Sequence, residues 1–384
     1  MPVVMTAAER ASFRRCRRQW DFGAGNRQDL EPLHPRAVPD LDRALREALA
    51  VYYFPGMWDW DRDVRLPLVG QELERALARQ RLGADPSGAG WEAARQEGQA
   101  LLDRYVRWAP TADRFAPVLV ETDFEVTVLG QPGEALVTPG GEPIRYSGRI
   151  DLMAVDSHDA YWIVRHRVVD ADWPTTEQLV ADEEGLVACW AWEQFYLGMT
   201  ITGTVYNELR RSSGDQPDRG QLDQDQPRRA RLPWRRLQRS LPRVRQHEPS
   251  GGGRSIPQHR RMYAQAREPA WVEPVEQLTV GGFRRTWLRR TPADVTEAGR
   301  RLAADLVEMA SQDLDVYPEP SDQNCPACPY LDPCRALRAG TLPIPLSGYR
   351  KRLPVSPVEG RLGGRSWGLG RGAAPPKFRR GPDN

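Results

Sequence analysis

Three cysteines crowd into NCPACPYLDPC, residues 324–334, with Cys-x2-Cys-x5-Cys spacing at Cys325, Cys328 and Cys334. Pro326, Pro329 and Pro333 remove backbone donors and stiffen the loop, which presets the thiol positions. Three thiolates need a fourth ligand, and Cys16, in SFRRCRRQW near the other end of the chain, is the candidate. A reducing cytosol disfavours structural disulfides and favours metal ligation. Zinc accepts four thiolates in a tetrahedron; a cubane 4Fe-4S cluster also takes four and tolerates uneven spacing. Either would join segments about 300 residues apart and remove much entropy from the unfolded chain. The fifth cysteine, Cys189 beside Trp190, reads as an ordinary core thiol.

Between these anchors the hydrophobic period changes several times. Residues 41–53 and 88–108 carry apolar residues at helical spacing, with Leu101, Tyr105 and Trp108 on one stripe. Residues 118–128, 144–155 and 160–169 are rich in β-branched and aromatic residues, and DSHDA at 156–160 supplies a turn, so the last two form a hairpin. A helix over 175–198 with Gly198 near its C-cap, a strand over 201–210, and a helix over 293–310 capped by Asp294 or Thr296 follow. This order predicts a mixed α/β core with helical decoration. Residues 211–256 are polar and rich in Pro and Gly, which predicts a disordered insertion. Residues 347–384 read as a disordered basic tail, leaving 1–346 as one domain.

The formal net charge of +2 creates no global field that advertises nucleic acid. No apolar run approaches the roughly 20 residues a membrane span needs, and the N-terminus lacks the apolar core of a secretory signal. A cytoplasmic protein without a membrane partner is expected. Lysine occurs only at Lys351 and Lys377, a bias that a GC-rich coding sequence explains.

The strand YWIVRHRVVD, Tyr161–Asp170, begins as a buried strand yet carries Arg165, His166 and Arg167 in a row. Its alternation puts both arginines on one face, with Ile163 and Val169, and His166 on the other as a packed histidine.

The early cysteine in an S-x-x-x-C-x-x-x-W setting, followed by the late Cys-x2-Cys-x5-Cys, resembles the iron–sulfur branch of the PD-(D/E)XK nucleases. That branch includes AddB-type nuclease domains and CRISPR-associated exonucleases related to RecB. GRIDLMAVD at 148–156, DEEGLVACWAWEQ at 182–194 with YNELRR after it, and FRRTWLRRTPADVTEAGRRL at 283–302 resemble further segments of that branch. The likeness covers residues 9–340. It implies a restriction-endonuclease-like core, a mixed sheet flanked by helices, stapled by a 4Fe-4S cluster (alternatively zinc) on Cys16, Cys325, Cys328 and Cys334.

The family's chemistry uses an Asp on one strand and Glu-x-Lys on the next, gathered around Mg2+ or Mn2+. Asp151 matches the Asp; Arg165 stands at the Glu position and Arg167 at the Lys position. A histidine expected on the first long helix falls near Arg46, the helix-borne Gln is Glu184, and the Tyr is Ala188. Coding bias explains Lys to Arg but not Glu to Arg, because the charge reverses. Two fixed positive charges repel a divalent cation, so Asp151 is expected to pair with Arg165 or Arg167. The resemblance thus implies a catalytically degenerate member that binds DNA through Arg46, Arg165 and Arg167, with Arg14, Arg15, Arg17 and Arg18 adding positive charge, or a partner helicase or nuclease subunit. The alternatives are an active metal-dependent DNA exonuclease completed by Glu184, Asp156 or Asp170, and a metal-stapled interaction scaffold.

Overall fold

The computed structural model describes residues 2–33, 39–81, 89–131, 133–170, 172–196, 198–211, 274–326, 328–341 and 347–352. The insertion over 211–256 lies outside them apart from Arg211, as does the tail beyond Arg352. Strand β1 (Val3–Thr6) runs into helices α1 (Ala7–Arg15) and α2 (Arg17–Gly23), then a short β2 (Leu30–Pro32). Three helices follow, α3 (Leu41–Tyr52), α4 (Arg62–Arg81) and α5 (Ala89–Ala112). Strands β3 (Phe115–Thr127), β4 (Leu129–Gln131), β5 (Glu134–Ala135), β6 (Ile144–Asp156) and β7 (Tyr161–Val169) come next. Helices α6 (Thr176–Val180) and α7 (Glu183–Phe195) lead to β8 (Ile201–Arg210). After β9 (Pro274–Val280) and β10 (Phe283–Arg289) come α8 (Pro292–Ala310), α9 (Leu331–Arg338) and β11 (Tyr349–Lys351).

The expected mixed α/β architecture is present: a seven-stranded mixed sheet, ordered β1-β6-β7-β8-β10-β9 with β3 also on β6, between two helical layers. The β1–β6 and β7–β8 pairs are parallel and the others antiparallel. On one face, α3, α4 and α5 bury Leu45, Tyr52, Leu101 and Trp108 against Trp162, Val164 and Val205. On the other, α7 and α8 bury Leu186, Trp192 and Leu302 against Ile163 and Ile150. Covered on both faces, β7 reads as a continuous apolar run at its start, as strands with two buried faces do. The α7–α8 approach is close: a Cβ on Gly299 would meet the Trp190 indole, so the helices pack backbone to ring there.

One feature of the sheet positions the site. Strand β3 pairs with β6 along nearly its whole length, so β1 and β7 must share the other edge of β6. β1 takes Ile144–Ser147 and β7 takes Leu152–Val155. Residues 148–151 lie in the fork between them.

Several sequence expectations move. The helix over 175–198 is two helices: α6 ends at Ala181, and Asp182 caps α7 by accepting the Gly185 amide. The N-cap of α8 is Thr291, whose hydroxyl takes the Asp294 amide while the Asp294 carboxylate takes the Thr291 amide; Asp294 and Thr296 are inside the helix. Strand β11, beyond residue 346, pairs antiparallel with β2. β1, β2, β9, β10 and α4 were not anticipated.

Candidate functional site

The fork gathers the residues singled out in the sequence. Strand alternation holds as expected at β7: Arg165 and Arg167 face α7, and His166 is buried on the opposite face. His166 stacks on Tyr53 at 5.6 Å, and its Nδ1 lies 2.8 Å from Asn207 Nδ2. Asn207 Oδ1 is taken by Arg285, which also contacts Asp113, Tyr53 and Tyr105. The amide of Asn207 therefore donates to His166, which requires a neutral ring accepting at Nδ1. Burial, and after it the Arg285 charge, pushes the His166 pKa down to about 3. This histidine is a packed element, as its alternation predicted.

The arginines do not pair with Asp151 as expected. Arg165 donates from Nη1 to Asp182 at 2.6 Å and from Nη2 to Glu184 at 2.6 Å. Arg167 reaches the same Asp182 oxygen at 2.7 Å and lies over the Tyr206 ring. Tyr206 donates its hydroxyl to Asp182 at 2.7 Å. Burial alone would raise the Asp182 pKa, but Arg165 and Arg167 hold it below the usual carboxylate value. The helix break at 181–182 makes this possible, since it turns Asp182 from a mid-helix residue into a cap aimed at β7.

Asp151 has a different guanidinium beside it. Arg46, on α3, stands 3.8 Å from Asp151 and 3.1 Å from Asp42. The carboxylates also finish the sheet edge: Asp151 accepts the His166 amide at 2.9 Å and Asp42 accepts the Val168 amide at 2.7 Å. Where β6 leaves β7, side-chain oxygens replace the missing backbone acceptors. The position expected for a histidine thus holds a fixed cation between two acids.

Glu121 completes this group. The register Val120↔Leu152 and Thr122↔Ile150 sets it opposite Asp151, and it adopts a left-handed φ of 42°. Non-glycine residues pay strain there. Burial first, then the Asp151 charge, pushes its pKa up to about 7. A carboxyl whose folded pKa exceeds its unfolded value makes the folded state bind the extra proton, so stability falls as pH rises from about 4.5 through 7. Glu121→Gln is expected to match wild type in urea unfolding at pH 4 and to exceed it at pH 8 by on the order of 1–3 kcal/mol. A difference that does not change with pH would show that Asp151 does not crowd Glu121.

The other acids proposed as ligands lie elsewhere. Asp156 organises the β6–β7 turn, accepting from the His158 and Ala160 amides and the Trp162 indole. Asp170 sits at the far end of β7 beside Arg211. Glu184 is held by Arg165. The N-terminal arginines are also engaged: Arg14 pairs with Glu183, Arg17 with Glu308, and Arg18 donates to the Val316 carbonyl. Arg10, not singled out in the sequence, is buried between Glu183 and Asp305.

The four cysteines line a second site, beside the junction of α1 and α2. Cys16, Cys325, Cys328 and Cys334 line one cavity of about 180 Å³ with Phe22, Tyr330, Arg18, Arg335 and Pro320. Cys16 sits in extended backbone between α1 and α2, and its Sγ accepts the Glu319 amide at 3.4 Å. Burial, and behind it the neighbouring thiols, hold the Cys328 and Cys334 thiols above their usual range. Among the described residues no three His, Cys, Asp or Glu side chains converge tightly enough to hold a single ion. A zinc with sulfur at about 2.3 Å needs thiols in mutual contact. Cys189 is apart from this set, buried against Thr204, with burial raising its pKa to about 11.

No family model matches the chain, and no curated protein matches it.

Proposed function

We propose that this chain is a catalytically silent relative of the PD-(D/E)XK nucleases that binds nucleic acid at the β6–β7 fork, stapled by a 4Fe-4S cluster on Cys16, Cys325, Cys328 and Cys334. The observation that carries the reading is the ownership of the fork by guanidiniums: Arg46 lies between Asp42 and Asp151, and Arg165 and Arg167 are locked to Asp182. A divalent cation there would have to displace Arg46 from Asp42 and Asp151, or Arg165 and Arg167 from Asp182, against fixed guanidinium charges. The four-thiol cavity supports the cluster, which when bound supplies a rigid link between the two ends of the fold.

Arginine is suited to phosphate because its planar fork matches two oxygens at once. In this fork each guanidinium already has a carboxylate, so a phosphate must displace one. Arg14, half-exposed and paired with Glu183 next to Glu184 in the chain, would add a further contact.

The test is an assay on linear single- and double-stranded DNA beside an active nuclease. Wild type is expected to give no Mg2+- or Mn2+-dependent cleavage and no thermal shift with either ion, while binding DNA without metal and losing affinity steeply with salt. Mn2+-dependent degradation that Asp151→Ala abolishes would overturn the silent reading. No binding at low salt would favour the second reading, a protein-interaction scaffold. One observation supports that alternative: Trp60, Val64 and Leu68, each one helical turn apart, are exposed on and just before α4.

A further inference from the structure

The two carboxylates on Arg165 are held very differently. Asp182 is 12% exposed and is held by Arg165, Arg167, Tyr206 and the Gly185 amide. Glu184 is 63% exposed, and among the described residues its one hydrogen-bond partner is Arg165. Both sit in the first turn of α7, a helix of 13 residues whose N-terminal end favours negative charge. The buried Tyr146 ring lies within electrostatic reach of Glu184 and Arg165. Nη2 of Arg165 thus faces an exposed carboxylate in an outer anion seat, while Nη1 stays anchored to the buried Asp182.

We propose that Glu184 is an internal stand-in for phosphate: its carboxylate fills the outer seat of Arg165, and a phosphate group displaces it. The inference rests on the nucleic-acid reading for the source of that phosphate. Displacement leaves Arg165 paired on both sides throughout, with Asp182 within and phosphate without. The carboxylate that leaves is exposed and regains water, so its release carries little desolvation penalty. The exchange is one anion for another, so binding draws less on the charge of Arg165 than an open guanidinium would allow. Glu184 in this role sets affinity and excludes weak anions, acting as a built-in competitor.

Glu184→Ala opens the seat without touching the buried pair. With a 20-nucleotide single-stranded DNA at low salt, the variant is expected to bind about three- to ten-fold more tightly than wild type. Its log K against log salt slope should stay close to that of wild type, because the same phosphate contact forms in both proteins. In an Arg165→Met background the Glu184→Ala gain should vanish. Thermal shift with inorganic phosphate forms a second arm. Stabilisation of Glu184→Ala by phosphate without a gain for the oligonucleotide would keep the seat and overturn the nucleic-acid source. Wild type and variant binding DNA equally would overturn the stand-in role while leaving the nucleic-acid reading intact. If neither protein binds DNA and neither responds to phosphate, both fail. Circular dichroism checks that each variant is folded.

Discussion

Asp182→Ala is expected to lower the free energy of unfolding by about 4 kcal/mol, more than any other single change near the fork. Two terms add. The substitution strands Arg165 and Arg167, about three-quarters buried, without their shared carboxylate. Leaving a buried charge unpaired costs roughly 3–5 kcal/mol, with the lower end fitting groups that keep some solvent. It also removes the N-cap of α7, worth about 1 kcal/mol. Asp182→Asn should cost less, because an amide oxygen still accepts from Gly185 and Tyr206 but brings no charge. The discriminating variant is the triple Asp182→Asn, Arg165→Met, Arg167→Leu, which should regain most of the loss if the stranded cations are its cause. Urea unfolding measures all three. A loss below 1 kcal/mol in Asp182→Ala would mean the guanidiniums escape to water, and the fork would then be looser than its distances imply.

The same residue marks the limit of what the sequence reveals. Strand alternation is a local property, so the placement of Arg165 and Arg167 on one face and His166 on the other was legible in ten residues. The partner of the arginines was not, because it depends on a helix break. The polar run DEEG at 182–185 fits an exposed turn of one long helix as well as a boundary between two, so it does not by itself mark the break. A weaker signal was present: Asp182 followed by Glu183 and Glu184 is the composition of a helix start. Strand β10 was hidden for a related reason. FRRTWLR carries three arginines, yet Arg284 and Arg285 are buried, balanced by Glu208 and Asp113, which lie 76 and 172 residues away. No window of sequence contains both halves of those pairs. Arg46 illustrates the converse: its helix was legible, but the guanidinium beside Asp151 comes from α3, whereas the expected pairing was with Arg165 or Arg167 on β7.

Cys16→Ala should remove iron, colour and the order of the C-terminal segment together, and the packing around the cavity explains why. The two layers of the main sheet hold large apolar cores that do not include this region. The segment carrying Cys325, Cys328 and Cys334 rests on a satellite core of three buried residues, Phe22, Leu30 and Tyr330. Beyond it, the Tyr330 hydroxyl donates to the Leu30 carbonyl at 2.7 Å and the Asn324 amide donates to the Arg15 carbonyl at 3.1 Å. Under the proposed staple, a metal group on the four thiolates would make ligation and local folding one event. Anaerobically purified wild type is accordingly expected to be brown with about four iron per chain. Cys16→Ala should be colourless and poorly soluble, and proteases should cut it between α8 and α9 where wild type resists. Cys189→Ala, whose thiol lies in the main core against Thr204, should keep its iron. Stoichiometric zinc without iron would replace the cluster but leave the staple, whereas a Cys16→Ala protein that keeps four iron and resists proteolysis would remove Cys16 from the ligand set.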